Sequence, residues 1–315
     1  LTRRCRRGED DRGEWQVRSK TLKEKLKDSM NGKICLVTGG TNGIGKATAQ
    51  ALARMGATVV IAGRNAPKTA QLVEEIRTAT GNKKVDFLLA DLSSQQEVLR
   101  LANEFKSRYS HLHVLLNNAG GFFLRRQLSA DGIEMTFALN HLAYFLLTNL
   151  LLDTIKASAP ARIINVSSDA HASGKIEFDN LQGERGFSPR AYDNSKLANI
   201  LFTIELARRL EGTGVTVNAL HPGFVATGFA KNNGKVIAAL ISIFAPLVAR
   251  SPAKGAETSI YLASSPEMES ITGKYFVDCR VTQPVPQATD SAVAKKLWDV
   301  SAEMVHLAVR LPAKT

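Results

Sequence analysis

The sequence predicts an α/β protein built on a doubly wound parallel sheet of about seven strands, with helices on both faces. Three observations carry this. Short, predominantly apolar runs such as Ile34 to Val37, Ala57 to Ala62 and His113 to Leu116 recur along the chain. They are too short for helices and lack the polar alternation of a sheet with one wet face. Stretches of helical periodicity separate them, and strand–helix–strand units close right-handed onto a parallel sheet. Finally, the first strand runs straight into a glycine-rich turn that opens a helix, the arrangement of a Rossmann-type nucleotide fold.

Composition frames the rest. The chain has 315 residues, 44% hydrophobic and 22% charged, which suits a soluble globular protein with a large core. No Pro/Ser-rich linker divides it, so a single domain is expected over residues 31–315. Residues 1–30 are expected to form a charged extension, disordered over its first dozen or so residues, with Met30 as the natural start. That extension has ten basic and six acidic side chains, so +4 of the net +12 lies there and +8 in the body. The basic residues of the body are scattered and no nucleic-acid motif accompanies them, which excludes nucleic acid as the expected partner and leaves a polyanionic cofactor or an anionic surface. Cys5, Cys35 and Cys279 lack metal spacing and suit reduced, structural thiols in a cytoplasmic setting. The six histidines show no metal spacing either, so no metal is expected.

Taken in order, the first strand leads into Thr38-Gly39-Gly40-Thr41-Asn42-Gly43-Ile44-Gly45. Bare backbone there lets a phosphate approach, and the free N–H groups and dipole of the following helix supply positive potential. The spacing is G-x-x-x-G-x-G rather than G-x-G-x-x-G. The second strand ends at Gly63 and Arg64, where an NAD site would carry an acid for the ribose hydroxyls. An arginine there pairs with a 2′-phosphate, which favours NADP(H); the alternative is a solvated loop arginine.

Ala66 to Gly81 reads as an amphipathic helix and Lys84 to Ala90 as the third strand, ending at Asp91 and Leu92. Asp91 is placed to accept from an adenine amino group. Ser93 to Ser110 is a helix capped by Ser93 or Ser94, and the fourth strand runs into Asn117-Asn118-Ala119-Gly120. Further on, Tyr192 and Lys196 stand four apart, on one face of a helix. An ammonium beside a phenol can bring the phenol toward the useful acid–base range, although the pair in isolation reads first as a packed Tyr beside a snorkelling Lys.

The glycine-rich turn, the Asn-Asn-Ala-Gly motif and Tyr192-x-x-x-Lys196, in this order, resemble the short-chain dehydrogenase/reductase family from about residue 31 to about residue 280. Within it, Arg162 to Gly212 is most similar to the retinol dehydrogenase group, through Arg162-Ile163-Ile164-Asn165-Val166-Ser167-Ser168, Ala170-His171, Asn180-Leu181-Gln182-Gly183-Glu184 and Ser195-Lys196-Leu197-Ala198-Asn199-Ile200-Leu201. The resemblance implies catalytic roles for four residues. Asn140 would hold a water in a proton relay, Ser168 would hydrogen-bond the substrate carbonyl, Tyr192 would be the general acid/base, and Lys196 would bind the nicotinamide ribose and lower the Tyr192 pKa. Ser167 and Ser168 are not separable by sequence alone; either can be a plain strand-end cap, and the family pattern favours the second. The cofactor contacts implied are Thr38, Gly39, Thr41, Asn42, Gly43, Ile44, Gly45, Arg64, Asp91, Leu92, Asn118, Ala119, Gly120, Tyr192, Lys196, Pro222, Gly223, Val225 and Thr227. Hydride transfer to a carbonyl builds alkoxide charge, which needs a donor to polarise the oxygen and an acid to protonate it.

After the sixth strand, Gly214 to Leu220, the turn His221 to Thr227 is assigned by the resemblance to the nicotinamide carboxamide. Lys235 to Arg250 is an almost wholly apolar run broken by Pro246 and too short to span a bilayer. Its readings are a substrate-covering flap, a buried oligomer helix or a shallow membrane contact. A helix over Ala253 to Ala263, a last strand over Gly273 to Val277 and a terminal helix over Asp290 to Val309 complete the pattern. The expected activity is NADP(H)-dependent hydride exchange with a small lipophilic carbonyl or alcohol, in a protein able to form homo-oligomers. The competing readings are a nucleotide-sensing protein without turnover and a membrane-surface accessory factor.

Overall fold

The computed structural model describes residues 29–225 and 250–310, with only the backbone of residues 309 and 310. Expectations for residues 1–28, for Ala226 and Thr227, and for the apolar run up to residue 249 lie outside these residues. The sheet has eight strands in the order β3-β2-β1-β4-β5-β6-β7-β8. They are β1 (Ile34–Thr38), β2 (Thr58–Gly63), β3 (Val85–Leu89), β4 (Val114–Asn117), β5 (Ala161–Val166), β6 (Val215–His221), β7 (Tyr275–Val277) and β8 (Arg280–Thr282). Strands β1 to β7 pair in parallel and β8 returns antiparallel on β7.

Helices cover both faces, as the doubly apolar strands require. They are α1 (Gly43–Arg54), α2 (Ala66–Thr80), α3 (Gln95–Arg108), α4 (Met135–Lys156), α5 (Ala191–Arg209), α6 (Pro252–Ser264), α7 (Ser291–Met304) and the short α8 (Leu307–Arg310). Successive residues of β1 point to opposite faces. Leu36 packs with Val60, Leu88 and Leu115 into the layer that includes α3, α4, α5 and α7. Cys35 and Val37 pack with Val59, Ile61 and Leu116 into the layer of α1, α2 and α6. Burying each such aliphatic side chain is worth about 1.5–3 kcal/mol, so the alternation fixes strand register. Helix α4 has the length and hydropathy of a membrane span, yet 83% of its most apolar window is buried inside the domain. Trp298 of α7 packs edge-on to Phe145 of α4 at 4.8 Å and stacks on Phe202 of α5 at 5.9 Å, so the C-terminal helix closes over both.

Local signals set the helix ends. Asn65 accepts from Lys68 N at 2.9 Å and starts α2, Gly81 ends it in the left-handed region at φ 71°, and Ser94 rather than Ser93 caps α3. Three boundaries differ from those read in the sequence. Met30, assigned there to the extension, is 5% exposed and packs in the core, with its N–H donating to Met55 O at 2.9 Å. The sheet gains β8 because Asp278 and Cys279 adopt φ of 49° and 62° and turn the chain back within two residues. The terminal helix stops at Met304, since His306 takes φ of 50° before α8 begins.

The four parallel strand ends β1, β4, β5 and β6 face the same edge. Sheet order reverses between β1 and β4, where such folds open a crevice. Close approach is needed there: a Cβ on Gly45 would lie 2.6 Å from Asn118 Nδ2 and 2.6 Å from Gly39 O. Gly45→Ala is therefore expected to lower unfolding free energy by about 1–3 kcal/mol, measured by denaturant titration, despite the better helix propensity of alanine.

Candidate active site

The turns after β1 and β4 are joined through two side chains. Thr38 Oγ1 donates to Leu116 O at 3.1 Å and accepts from Asn118 N at 2.8 Å and Ala119 N at 3.1 Å. Asn118 Nδ2 donates to Thr38 O at 2.9 Å and Gly39 O at 3.2 Å. Gly39 takes φ of 62°, and a Cβ on it would meet Ala119 Cα at 2.7 Å. The N-terminus of α1 opens onto this seam. Asn42 is extended and makes no side-chain cap, and the first turn holds no acid. Uncapped N–H groups beside side-chain-free backbone form a cradle that fits a pyrophosphate.

At the end of β2, Gly63 leaves room for Thr41 and Thr69, whose atoms a Cβ there would approach to 2.8 and 2.6 Å. Arg64 follows, exposed. Lys68, which the sequence reading passed over, donates from Nζ to Asn42 Oδ1 at 2.8 Å and so adds a second cation at this corner. The corner suits a 2′-phosphate and offers no carboxylate at Gly63 or Arg64 for ribose hydroxyls. Asp91 is exposed, and its Oδ1 accepts from Ser93 N at 3.0 Å and Ser93 Oγ at 2.7 Å, so part of its acceptor capacity serves its own turn. Leu92 is 7% exposed.

Asn140 sits in a π-helical turn, Ala138–Leu142, within α4. Such a turn places an extra residue and reorients its neighbours, often at functional sites. The Asn140 amide is fully engaged: Oδ1 accepts from Gly121 N at 2.8 Å, and Nδ2 donates to Gly121 O at 2.9 Å and Ser195 Oγ at 3.1 Å. Its main-chain carbonyl accepts from Asn199 Nδ2 at 2.9 Å.

The two serines after β5 separate by geometry. Ser167 is buried and donates to Lys196 O at 2.7 Å. Ser168 is half-buried and hydrogen-bonds Tyr192; its Oγ also lies 2.9 Å from Asp169 Oδ1 as donor and accepts from Ala170 N at 3.2 Å. Lys196 is 3% exposed, donates to Val166 O at 3.2 Å and lies 5.4 Å from the Tyr192 ring centroid. A Cβ on Gly120 would fall 3.8 Å from its Nζ, so the fourth-strand turn borders the amine.

The electrostatics run against the simple expectation that Lys196 acidifies Tyr192. Burial pushes the Tyr192 phenol above its usual range, the Ser168 hydrogen bond pulls it back in part, and the Asp169 and Asp193 carboxylates push it further up. Burial also pulls the Lys196 ammonium down to about 7, so near neutral pH much of its charge is given up. Burial therefore favours the protonated phenol over the phenolate.

Beyond β6, His221 Nδ1 accepts from Asp169 N at 3.0 Å. Pro222, Gly223, Phe224 and Val225 follow on the same edge, with Gly223 at φ of 80°. Phe122 stands edge-on to the Tyr192 ring at 5.6 Å, and Phe224 is 66% exposed. Sequence reading missed Gly121, Ser195 and Asn199, whose roles depend on contacts across the fold, and missed Phe122, whose only signal was an aromatic residue just past the Asn-Asn-Ala-Gly turn.

Comparison with known proteins shows the family and the fold. The short chain dehydrogenase family profile matches residues 33–237. Human retinol dehydrogenase 11 is 44% identical over 281 residues, covering 88% of this chain and 87% of its own. Among solved structures, an uncharacterised protein from Mycobacterium paratuberculosis superposes with a TM-score of 0.71 at 32% identity, covering 88% of this chain and 94% of that one. The NADP active-site complex of Pseudomonas aeruginosa RhlG gives 0.63 at 30% identity over 79% and 95%.

The depressed Lys196 pKa makes a stability prediction. Between about 7 and 10.5 the unfolded chain keeps a proton on this amine that the folded chain has released, so stability rises with pH across that window. Relative to Lys196→Met, the wild type should gain up to about 3 kcal/mol of unfolding free energy between pH 7 and pH 9.5. Parallel denaturant titrations at the two pH values measure this difference; a constant difference would place the Lys196 pKa outside the window.

Proposed function

The chain belongs to the short-chain dehydrogenase family and is an oxidoreductase acting on alcohol/carbonyl pairs; from that premise we propose that it uses NADP(H) and acts on a lipophilic aldehyde or ketone. The observation that carries the reading is the meeting of Asn140, Ser168, Tyr192 and Lys196 beside the cradle formed by the turns after β1 and β4.

The cofactor would rest its pyrophosphate on Gly39, Thr41, Asn42, Gly43, Ile44 and Gly45, and its 2′-phosphate at Arg64 and Lys68. Its adenine would lie against Asp91 and Leu92, its nicotinamide ribose by Asn118, Ala119, Gly120 and Lys196, and its carboxamide at Pro222, Gly223 and Val225. Thr227 belongs to the same assignment but lies outside the described residues. When bound, NADPH supplies the hydride. The protein's part is to hold the carbonyl and manage its proton. Ser168 donates to the carbonyl oxygen, which stabilises developing alkoxide charge. Tyr192, protonated at neutral pH, gives its proton to that oxygen, which suits reduction. Lys196, through the positive charge it keeps, stabilises the resulting phenolate, and the main-chain carbonyl of Asn140 would hold a water that returns the proton.

Apolar surface supports a lipophilic substrate. Phe122 lines the Tyr192 ring, and Phe224 and Leu124, 66% and 38% exposed, offer uncovered hydrocarbon nearby in sequence to the two site turns. The name of the human relative points the same way. Free Cys35 and Cys279 fit a reducing, cytoplasmic compartment. The presence of both Tyr192 and Lys196 speaks against a sensor without turnover.

The test is steady-state reduction of a panel of apolar aldehydes and ketones with NADPH and with NADH. NADPH should be preferred, and Tyr192→Phe should lower kcat by about 10²–10⁴-fold with NADPH affinity nearly unchanged. Normal turnover by Tyr192→Phe would overturn the acid assignment, and equal use of NADH would overturn the cofactor assignment.

A further inference from the structure

The turn Pro222 to Val225 is irregular backbone, and two separate grips hold it. The first is Arg250. Its N–H donates to Phe224 O at 2.7 Å, and Val225 and Arg250 form an isolated parallel bridge. The Arg250 side chain then crosses Gly223 so closely that a Cβ there would lie 2.7 Å from Cδ, 2.8 Å from Nε and 2.9 Å from Cζ. Beyond Gly223 the guanidinium meets both carboxylate oxygens of Asp278, with Nη2 to Oδ2 at 3.1 Å and Nη1 on Oδ1. A two-pronged pair of this kind fixes direction as well as distance. Asp278 is itself held in a left-handed turn between β7 and β8, whose next residue donates from Cys279 N to Thr258 Oγ1 of α6 at 3.2 Å.

The second grip comes from beneath. A Cβ on Gly255 of α6 would lie 2.4 Å from Val225 Cγ2 and 3.4 Å from Ile44 Cγ1. The bare backbone at Gly255 therefore lets Val225 of this turn and Ile44 of the glycine-rich turn rest on one spot of α6.

The pair is not needed to hold the sheet. Strand β7 is already fixed to β6 through Ala219↔Tyr275, Leu220↔Phe276 and His221↔Val277. Arg250 and Asp278 side chains are 38% and 55% exposed, and exposed pairs add little to global stability. What the pair does determine is the path of Gly223 and Phe224, because the arginine lies directly on them.

We infer that Arg250 and Asp278 are positioning residues that preset the Pro222 to Val225 turn for the nicotinamide end of the cofactor. The inference rests on the NADP(H) reading above and concerns one end of that molecule only. Without the pair the turn samples other paths, and binding must select the competent one.

Two probes separate the ends. NADPH reports the whole site, measured by fluorescence titration; 2′,5′-ADP reports the adenosine and 2′-phosphate end alone, measured by calorimetry. Arg250→Met and Asp278→Asn should each weaken NADPH by about tenfold, Arg250→Lys by less, and the double variant no more than either single. Affinity for 2′,5′-ADP should stay within about twofold and the melting temperature within about 2 °C, which a general loss of structure would not allow. Unchanged NADPH affinity in both single variants would overturn the inference. So would an equal loss for both probes, or additive losses in the double variant. Wild-type protein that binds 2′,5′-ADP while the variants keep NADPH would leave the NADP(H) reading standing without this one; wild-type protein that binds neither probe would overturn both.

Discussion

The catalytic edge depends on how closely the backbone after β1 is drawn onto the backbone after β4. Gly39 lies where no Cβ fits against Ala119, and Thr38 and Asn118 exchange hydrogen bonds across the seam. Both turns are thereby set in one place. From there position passes inward: Gly121, just beyond the β4 turn, is bonded twice to Asn140, and Asn140 to Ser195 of α5. Asn199, one turn further along α5, ties the Asn140 carbonyl to Val166 O, the acceptor that also holds Lys196. Strand ends, π-turn and catalytic helix form one hydrogen-bonded unit, and the acid–base groups stand on it.

That unit carries an electrostatic cost. Lys196 is buried without a carboxylate partner among the described residues, and the phenol beside it is also desolvated. A buried amine near its titration point is poorly tolerated in a purely structural core and is typical of sites that handle protons. Tyr144, one turn past Asn140, adds a buried hydroxyl without a hydrogen-bond partner among the described residues. The rest of the domain, with two apolar layers and, among the described residues, five α-helices started by side-chain caps, supplies the stability against which such features stand.

Much of this was legible in the sequence, and the limits have physical causes. The parallel strands and the glycine-rich turn follow from local pattern, because buried parallel strands and a phosphate-type turn leave marks within a few residues. The spacing of Tyr192 and Lys196 gave a shared helix face, but not the direction of their pKa shifts, which depends on burial. Ser167 and Ser168 needed the direction of each side chain to be told apart. The β7–β8 hairpin was hidden because its turn uses Asp278 and Cys279 in left-handed conformation where glycine or asparagine is the usual signal. Lys68, Asn199 and Arg250 act across 26, 59 and 28 residues of chain to Asn42, Asn140 and Asp278, a relation no local pattern carries.

The most direct test of the account follows the hydride itself. Reduction of an apolar aldehyde with NADPH deuterated at the transferable position of the nicotinamide should place one deuterium on the carbinol carbon of the alcohol, read by mass spectrometry, while the hydroxyl proton comes from solvent. An alcohol without deuterium, formed at the same rate, would contradict the claim that this edge joins the cofactor to a carbonyl held at Tyr192.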